Sequence, residues 1–302
     1  MKDDCYIFIP SYHRANNLKT VRYFAELGWQ REKIVVFIDS EADDRAEYES
    51  QCNAFGCKLF VFDMDESRKR YDYVHRPSPA RRSAGQARNM FHDYARENGI
   101  NFYCVQDDDT QTMSKKTNEG KKKATYYEIK ELFAAMEAFM RKWHIGCFGV
   151  PQAGDFIGGR KDKIMLNKVM NTTFYLTDYI YRGERGVQDD DTSQFVGIMN
   201  QGLFTGSVNS RIFLHQMPSA TQDGGLTDLY RELKLLNKSL VTVIQFPSAI
   251  IAEKQSENGG RLHHKITNKY LYPRILKGCK RSNIAWDTYE EDVPFTNEPK
   301  RK

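Results

Sequence analysis

The stretch NFYCVQDDD, residues 101–109, decides the fold because it joins a short apolar strand to three consecutive aspartates. Residues 101–106 have the apolar character of a buried strand, and Asp107, Asp108 and Asp109 follow at its carboxyl end. Alternate residues leave a strand on the same side, so we expect Asp107 and Asp109 to face one object. The pattern predicts a strand that delivers carboxylates to one edge of a sheet.

Three similar strands precede this one, and segments with helical apolar spacing separate them. The predicted strands are Tyr6–Pro10, Lys33–Ile38 and Lys58–Phe62, and the predicted helices are Asn16–Leu27, Arg45–Phe55 and Ser83–Glu97. This alternation predicts an α/β fold, a Rossmann-type mostly parallel sheet flanked by helices. Ligands of such sheets bind at the carboxyl ends of the strands. Those ends carry Ser11, His13, Arg14, Asp39, Asp63 and the three aspartates.

The second half of the chain is less regular. We expect helices over Tyr126–Trp143, Val187–Gly202 and Thr227–Leu236, strands over Ile145–Val150 and Val169–Leu176, and a largely extended segment over Leu240–Ile251. No stretch is rich enough in Pro, Gly or Ser to separate independent domains. We therefore expect one domain over residues 1–281, with a nucleotide-binding half (1–110), an acceptor-side catalytic half (111–281) and a polar tail (282–302).

The composition indicates a folded protein without a membrane span. The chain has 302 residues, a formal net charge of +5 and 40% hydrophobic residues, which excludes a mostly disordered protein. Its longest apolar run, Leu240–Ala252, is interrupted by Gln245 and Pro247 and is shorter than the ~20 residues of a span. The six cysteines lack metal-site spacing and the N-terminus does not read as a secretory signal, so we expect a cytoplasmic protein with reduced thiols.

Basic residues are concentrated in three stretches, 68–88, 115–123 and 254–281. They suit a surface that binds a polyanion, although solvated loops are the alternative interpretation. The candidate phosphate contacts are Arg81, Arg82 and Lys122, and the candidates to stack on a base are Tyr71, Tyr73 and His75.

The hexapeptide VQDDDT occurs twice, at 105–110 and 187–192. The flanking residues differ, so we interpret the copies as two carboxylate clusters at one site. Carboxylates held close together repel each other unless a cation lies between them, and oxygen ligands suit Mg²⁺ or Mn²⁺. The first cluster predicts a metal–diphosphate site, with a polar loop as the alternative. The second predicts a general base, with simple stabilisation of a helix N-terminus as the alternative.

Three motifs follow one another along the first part of the chain: Pro-Ser-Tyr-x-Arg at Pro10–Arg14, Gly-x-x-Arg-Asn at Gly85–Asn89 and Asp-x-Asp at Asp107–Asp109. In this order they resemble the motifs of nucleotide-sugar glycosyltransferases of the GT-A fold. The second acidic cluster resembles their Glu-Asp motif, with Gln188 in place of the glutamate. Gly202, Gln222, Gly224-Gly225 and Tyr230-Arg231-Glu232 are similar, more narrowly, to the TET-associated glycosyltransferases of bacteriophages.

The resemblance implies metal-dependent, inverting transfer of a sugar from a nucleotide-diphosphate sugar, with a UDP-sugar as the expected donor. The implied acceptor is a hydroxymethylated pyrimidine in double-stranded DNA, in the host cytoplasm if a phage encodes the protein. The implied donor-binding residues are Pro10, Ser11, Arg14, Asp39, Gly85, Arg88, Asn89, Asp107 and Asp108. The implied ligands of Mn²⁺ or Mg²⁺ are Asp107, Asp109 and His264, with His263 as an alternative. Asp189 is the implied general base, Asp190 and Asp191 are register alternatives, and Asp228 is a rival.

Other functions stay open at this point. They are a glycosyltransferase acting on polysaccharide or protein, a sugar-phosphate nucleotidyltransferase, and a non-catalytic DNA-binding protein. The nucleotidyltransferase usually has a Gly-rich loop after its first strand, and residues 10–14 contain no glycine.

Overall fold

The computed structural model of the protein describes residues 5–71, 84–117, 119–150, 164–165, 168–179, 189–208, 212–216, 239–255, 261–267 and 271. The predictions at Tyr73, His75, Arg81, Arg82, Gln188, Gln222, Gly224-Gly225, the 227–236 helix with Asp228, and the tail 282–302 lie outside these residues.

Thirteen strands and seven helices longer than a 3₁₀ turn are described, the seventh over residues 239–245. The strands are β1 (Tyr6–Pro10), β2 (Ile34–Asp39), β3 (Lys58–Phe62), β4 (Phe102–Val105), β5 (Thr110–Thr117), β6 (Gly120–Lys123), β7 (Ile145–Gly149), β8 (Ile164–Met165), β9 (Thr173–Leu176), β10 (Phe204–Val208), β11 (Ile212–Gln216), β12 (Ile250–Gln255) and β13 (Arg261–Ile266). The helices are α1 (Lys19–Leu27), α2 (Arg45–Phe55), α3 (Met64–Arg70), α4 (Ala84–Glu97), α5 (Tyr126–Trp143) and α6 (Asp190–Met199). Short 3₁₀ turns cover Ala15–Asn17 and Arg31–Lys33, and residues 239–245 are helical.

Eight of these strands form the main sheet, in the order β3-β2-β1-β4-β9-β7-β10-β8. The first four are parallel to one another, and β7 is parallel to β10. Strand β9 is antiparallel to both β4 and β7, and β8 is antiparallel to β10. Six strands therefore point one way and two the other, which confirms the predicted mostly parallel α/β sheet.

Helices cover both faces of the sheet because its strands are apolar on both sides. Successive side chains of β1 enter different cores: Ile7 packs in the core that includes Phe133 of α5, and Phe8 in the core that includes Phe91 of α4. Strand β2 is buried along its whole length. Gly28 ends α1 in the left-handed conformation, which glycine adopts without steric cost because it has no Cβ. Within the described residues, none of the helices combines the length and apolar composition needed to cross a bilayer.

Two small sheets extend the second half. The first is β11-β5-β6, in which β5 and β6 form a hairpin, and the second is the β12-β13 pair. Strand β5 begins directly after the three aspartates, so the acidic segment is the junction between the main sheet and the hairpin sheet.

The extended segment predicted over 240–251 is wrong in its first part. Residues 239–245 are helical, and the strand begins only at Ile250. The β-branched residues of this stretch favour extended backbone locally. However, Val243 and Phe246 pack in a small core with Phe195 and Val196 of α6, and this tertiary packing overrides local preference. Several bounds also shift: α1 begins at Lys19, α6 covers Asp190–Met199 and β9 begins at Thr173.

Candidate active site

The first acidic cluster lies in the turn between β4 and β5, and Thr20 of α1 holds this turn in place. The Thr20 hydroxyl donates to the backbone carbonyl of Asp107 and accepts from the backbone N–H of Thr110 at 2.9 Å. The Thr20 backbone N–H donates to the carbonyl of Asp108 at 3.2 Å. Thr20 is fully buried and contacts three backbone groups of the turn, of which the Asp107 carbonyl also accepts from the Thr110 hydroxyl at 3.3 Å.

Replacing Thr20 with valine, which has nearly the same shape, should therefore lower the free energy of unfolding by about 1–3 kcal/mol. The buried Thr110 N–H would lose its hydroxyl partner, and the Asp107 carbonyl would keep the longer bond from the Thr110 hydroxyl. Urea unfolding of the Thr20→Val and Thr20→Ser variants measures this effect, since serine retains the hydroxyl. Equal stability of the two variants would contradict the role given to this hydroxyl.

Asp108 points into the protein and anchors the loop after β1. Its carboxylate accepts from the Ser11 hydroxyl at 2.7 Å and from the Arg14 guanidinium at 2.5 Å. Burial raises the pKa of Asp108 to about 6, although Arg14 and Ser11 act in the opposite direction. Tyr48 of α2 completes the arrangement: its hydroxyl lies 2.8 Å from the Ser11 hydroxyl and accepts from the backbone N–H of Arg14.

Arg88 of α4 joins the two acidic clusters. Its Nη2 lies 2.7 Å from Oδ1 of Asp107, and its Nε lies 2.9 Å from Oδ2 of Asp190. The Arg88 side chain is 11% exposed, so both ion pairs are largely shielded from solvent. The two copies of the hexapeptide therefore meet at one site, as the sequence predicts.

The three aspartates of the second cluster have three different cationic or imidazole partners. Asp189 lies 3.1 Å from Nδ1 of His264, Asp190 lies against Arg88, and Asp191 lies 2.6 Å from Nζ of Lys168. Asp189 precedes α6 in a left-handed conformation, with φ of 55°, which is uncommon for a residue with a Cβ. Burial raises the pKa of Asp190, an effect that Arg88 opposes.

The predicted metal ligands are not gathered into one set. Asp107 pairs with Arg88, whereas Oδ2 of Asp109 lies 3.6 Å from Nη1 of Arg14, so the two carboxylates have different guanidinium neighbours. His264 contacts Asp189 and Thr192. In the part of the chain that the structure describes, the one trio of metal-ligand side chains within 4.8 Å of one another is His13, Asp43 and Asp44.

The donor chemistry of the acidic turn nevertheless fits a divalent ion. Carboxylate oxygens of Asp107 and Asp109 are the hard ligands that Mg²⁺ and Mn²⁺ prefer, and both ions leave positions for diphosphate oxygens. The Asp107 side chain is 24% exposed and so is accessible from solvent. Asp107 and Asp109 are thus the residues that would hold the ion.

The other predicted donor residues lie along the same edge of the sheet. Pro10 ends β1, and Asp39 ends β2 with its carboxylate accepting from the backbone N–H of Glu41 at 2.9 Å. Gly85 and Asn89 lie near the start of α4, and Asn89 is buried. Of the predicted phosphate contacts, Lys122 is described, in the exposed strand β6, where it pairs with Glu119.

Sequence reasoning missed Thr20, Tyr48 and Lys168, which position the acidic residues. Thr20 and Tyr48 are fully buried polar residues inside amphipathic helices, where a hydroxyl among apolar positions was the available signal. Lys168 follows a stretch outside the described residues, and we find no pattern around it that indicates its contact with Asp191.

Comparisons with known proteins give one family and a set of remote structural similarities. No curated protein matches the chain. Glucosyl-3-phosphoglycerate synthase from Mycobacterium tuberculosis, solved with Mg²⁺ and UDP, aligns at 8% identity and a TM-score of 0.47, over 88% of this chain and 87% of that chain. The same enzyme with Mn²⁺ and UDP-glucose aligns at 9% identity and a TM-score of 0.47, over 88% of this chain and 86% of that chain. A family model described as TET-Associated Glycosyltransferase matches residues 5–225, and the chain therefore belongs to that family.

Proposed function

We propose that this glycosyltransferase moves a sugar from a nucleotide-diphosphate sugar, with a UDP-sugar as the expected donor, to the hydroxyl of a hydroxymethylated pyrimidine in double-stranded DNA. The observation that carries the proposal is the position of Arg88 between Asp107 and Asp190. One guanidinium adjoins both the acidic turn suited to a metal–diphosphate and the acids suited to deprotonate an acceptor.

On the donor side, side chains of this protein would neutralise the diphosphate and hold the nucleotide in place. A bound Mn²⁺ or Mg²⁺ would neutralise the diphosphate as it leaves the sugar. Ser11 and Arg14 are held by Asp108 and Tyr48, so the loop after β1 is ordered for a nucleotide. Arg88 places a fixed positive charge beside the acidic turn, where negative charge develops in the transition state.

On the acceptor side, we propose Asp190 as the general base. The resemblance implies Asp189, the preceding residue, for this role. Asp190 lies against Arg88 at the meeting point of the clusters, and its raised pKa makes it a better proton acceptor than an ordinary aspartate. Asp189 has only 5% of its side chain exposed and lies against His264, which leaves it less accessible to a hydroxyl. Asp189 and Asp191 remain the alternatives.

The β5–β6 hairpin supports a nucleic-acid acceptor. Strand β6 has the sequence GKKK and is exposed at every residue, and it follows the acidic turn by way of β5. Lys122 pairs with Glu119, but an exposed pair of this kind contributes only about 0–1 kcal/mol, so a phosphate can replace the glutamate. The hairpin therefore presents positive charge close in sequence to the carboxylates.

Replacing both Lys122 and Lys123 with alanine should weaken DNA binding similarly for all sequences. Each lost phosphate contact should reduce the slope of log affinity against log salt by about 0.9. The Arg81→Ala/Arg82→Ala double variant should act in the same way. Fluorescence anisotropy with labelled duplex across a KCl series measures the slopes, with Lys58→Ala as the control because Lys58 is exposed on the edge strand β3. Unchanged slopes in both double variants would contradict a DNA surface at these residues.

Mass spectrometry of DNA treated with the protein tests the function as a whole. Duplexes containing 5-hydroxymethylcytosine or 5-hydroxymethyluracil would be incubated with Mn²⁺ and a panel of nucleotide sugars, and unmodified duplex serves as the control. We expect a hexose or pentose mass increment on modified duplex together with release of nucleoside diphosphate. In a parallel assay with a nucleoside triphosphate and a sugar 1-phosphate, release of pyrophosphate would instead indicate a nucleotidyltransferase, and transfer only to polysaccharide or protein would remove the DNA acceptor.

A further inference from the structure

A cleft lies between α4 and α6, on the face of the main sheet that these helices cover. Arg88 contributes to its lining, so the cleft adjoins the point where the two acidic clusters meet. It is open to solvent on one side.

Tyrosine side chains form part of the cleft lining. Tyr103 of β4 and Tyr175 of β9 line its base, where they are almost fully buried and stack on each other with centroids 5.2 Å apart. Tyr71 also lines the cleft, and its hydroxyl is held by the Asp93 carboxylate at 2.6 Å. Because Tyr71 is half-buried and held in place, its ring is the one that a planar aromatic ligand entering the cleft can contact.

Amide and imidazole groups in the same cleft suit the polar edge of a nucleobase. Asn89, Gln194 and Gln201 line it, and the Gln194 amide has no hydrogen-bond partner among the described residues. His92 lines it as well, and burial, together with the nearby charge of Arg96, lowers its pKa to about 4. The ring is therefore neutral at pH 7 and offers one N–H donor and one acceptor nitrogen.

The middle of α6 leaves the cleft open at Gly197. A Cβ built at this residue meets no atom within 4 Å, so the protein itself does not fill the space beside it. A glycine inside a helix costs roughly 1 kcal/mol relative to alanine, so a larger side chain here is compatible with the fold. Gly197 is thus a position at which the cleft can be filled without disturbing the core.

The cleft meets the site at Arg88. Arg88 and Asn89, which the resemblance implies for donor binding, line it, whereas Ser11, Arg14 and Asp39, which are expected to border the nucleotide, do not. A pyrimidine stacked in a duplex is not accessible to such a cleft and has to turn out of the helix to enter it. We propose that this cleft receives the acceptor pyrimidine, extruded from the duplex, with its hydroxymethyl group directed to Arg88 and Asp190. This inference rests on the proposed function.

The test fills the cleft by Gly197→Leu. The probe is duplex DNA with one 5-hydroxymethylcytosine and a neighbouring 2-aminopurine, whose fluorescence rises when the adjacent base leaves the stack. Wild type should raise the fluorescence and transfer sugar. Gly197→Leu should remove the rise and lower kcat/KM for DNA by about 100-fold or more, while melting temperature, salt-dependent DNA binding and UDP–Mn²⁺ binding are retained. Asn200→Leu is the control, since Asn200 is exposed beyond α6 and does not line the cleft.

A second variant tests recognition of the ring edge. Gln194→Leu preserves size but removes the amide, and we expect KM for modified DNA to rise by about 10- to 100-fold at unchanged donor binding. Wild-type fluorescence and transfer in Gly197→Leu would overturn the cleft assignment while leaving the function in place, and weaker UDP–Mn²⁺ binding in that variant would assign the cleft to the donor instead. If wild type modifies no hydroxymethylated duplex, the acceptor proposal and this inference fail together.

Discussion

Sugar transfer by an Asp190→Asn variant should be slower than wild type by about 100-fold or more, the usual scale for loss of a general base. Asparagine preserves the shape of the side chain but cannot take a proton from the acceptor hydroxyl. Nucleotide binding should persist because Asp107, Asp109 and Arg14 are unchanged. Single-turnover rates with radiolabelled nucleotide sugar measure the loss, and calorimetry with UDP and Mn²⁺ measures donor affinity.

The neighbouring aspartates give matched comparisons for this prediction. Asp189→Asn and Asp191→Asn alter side chains that contact His264 and Lys168, so they should slow transfer less than Asp190→Asn does. The wild-type rate should fall as pH decreases through a value above the ordinary aspartate range, because burial raises the pKa of Asp190 and the base must be deprotonated. This acid limb should be absent from the residual activity of Asp190→Asn. A large loss confined to Asp189→Asn would move the base to that residue.

Metal-dependent nucleotide binding should be lost in an Asp109→Asn variant. An amide oxygen is a weaker ligand than a carboxylate, and we expect UDP affinity in Mn²⁺ to fall by at least about 100-fold, since even residues that only orient a metal ligand cost about 10–100-fold when removed. Calorimetric titration of UDP with and without Mn²⁺ measures the change. Circular dichroism should show that the fold is intact.

Asp43→Asn is the informative control for the metal site. Asp43, with His13 and Asp44, forms the other group of side chains suited to a cation, and it is exposed. We expect this variant to bind UDP and Mn²⁺ as wild type does. If Asp43→Asn removed metal-dependent binding and Asp109→Asn did not, the nucleotide metal would belong to the loops after β1 and β2.

The helices and strands predicted most accurately are those that form from local sequence signals and do not depend on contacts with distant segments. The bounds of β1, β3, α2 and α5 agree with the predicted ranges because each is a continuous apolar run or a strongly periodic one with clear end signals. The hairpin β5–β6 was not predicted, since its lysine-rich strands carry no apolar alternation and β5 has its second partner in the distant strand β11. The sequence predicts an extended segment over residues 240–245 because their β-branched side chains favour extended backbone locally. Their packing against α6, which makes them helical, involves residues distant in the sequence and could not be predicted.

The composition of the site was easier to predict than its contacts. The repeated hexapeptide indicated two carboxylate clusters at one place, and Arg88 between Asp107 and Asp190 confirms that prediction. The partner of each aspartate could not be predicted from the sequence. Asp108 contacts Arg14 and Asp189 contacts His264, and these residues are about 75 to 94 positions apart in the chain. A linear pattern specifies residue types but not such pairings.

The antiparallel strand β9, between β4 and β7, limits how this enzyme can be rebuilt by recombination. The proposed donor-binding half carries β4, whose outer edge pairs with β9 from the proposed acceptor half. It also carries Arg88, which has its second carboxylate partner in α6. A foreign acceptor half would therefore have to supply both a strand in the β9 register and an acid at the start of the following helix. With the α4–α6 cleft as the proposed acceptor site, new acceptor specificities are thus more accessible through changes in that cleft than through exchange of the whole half.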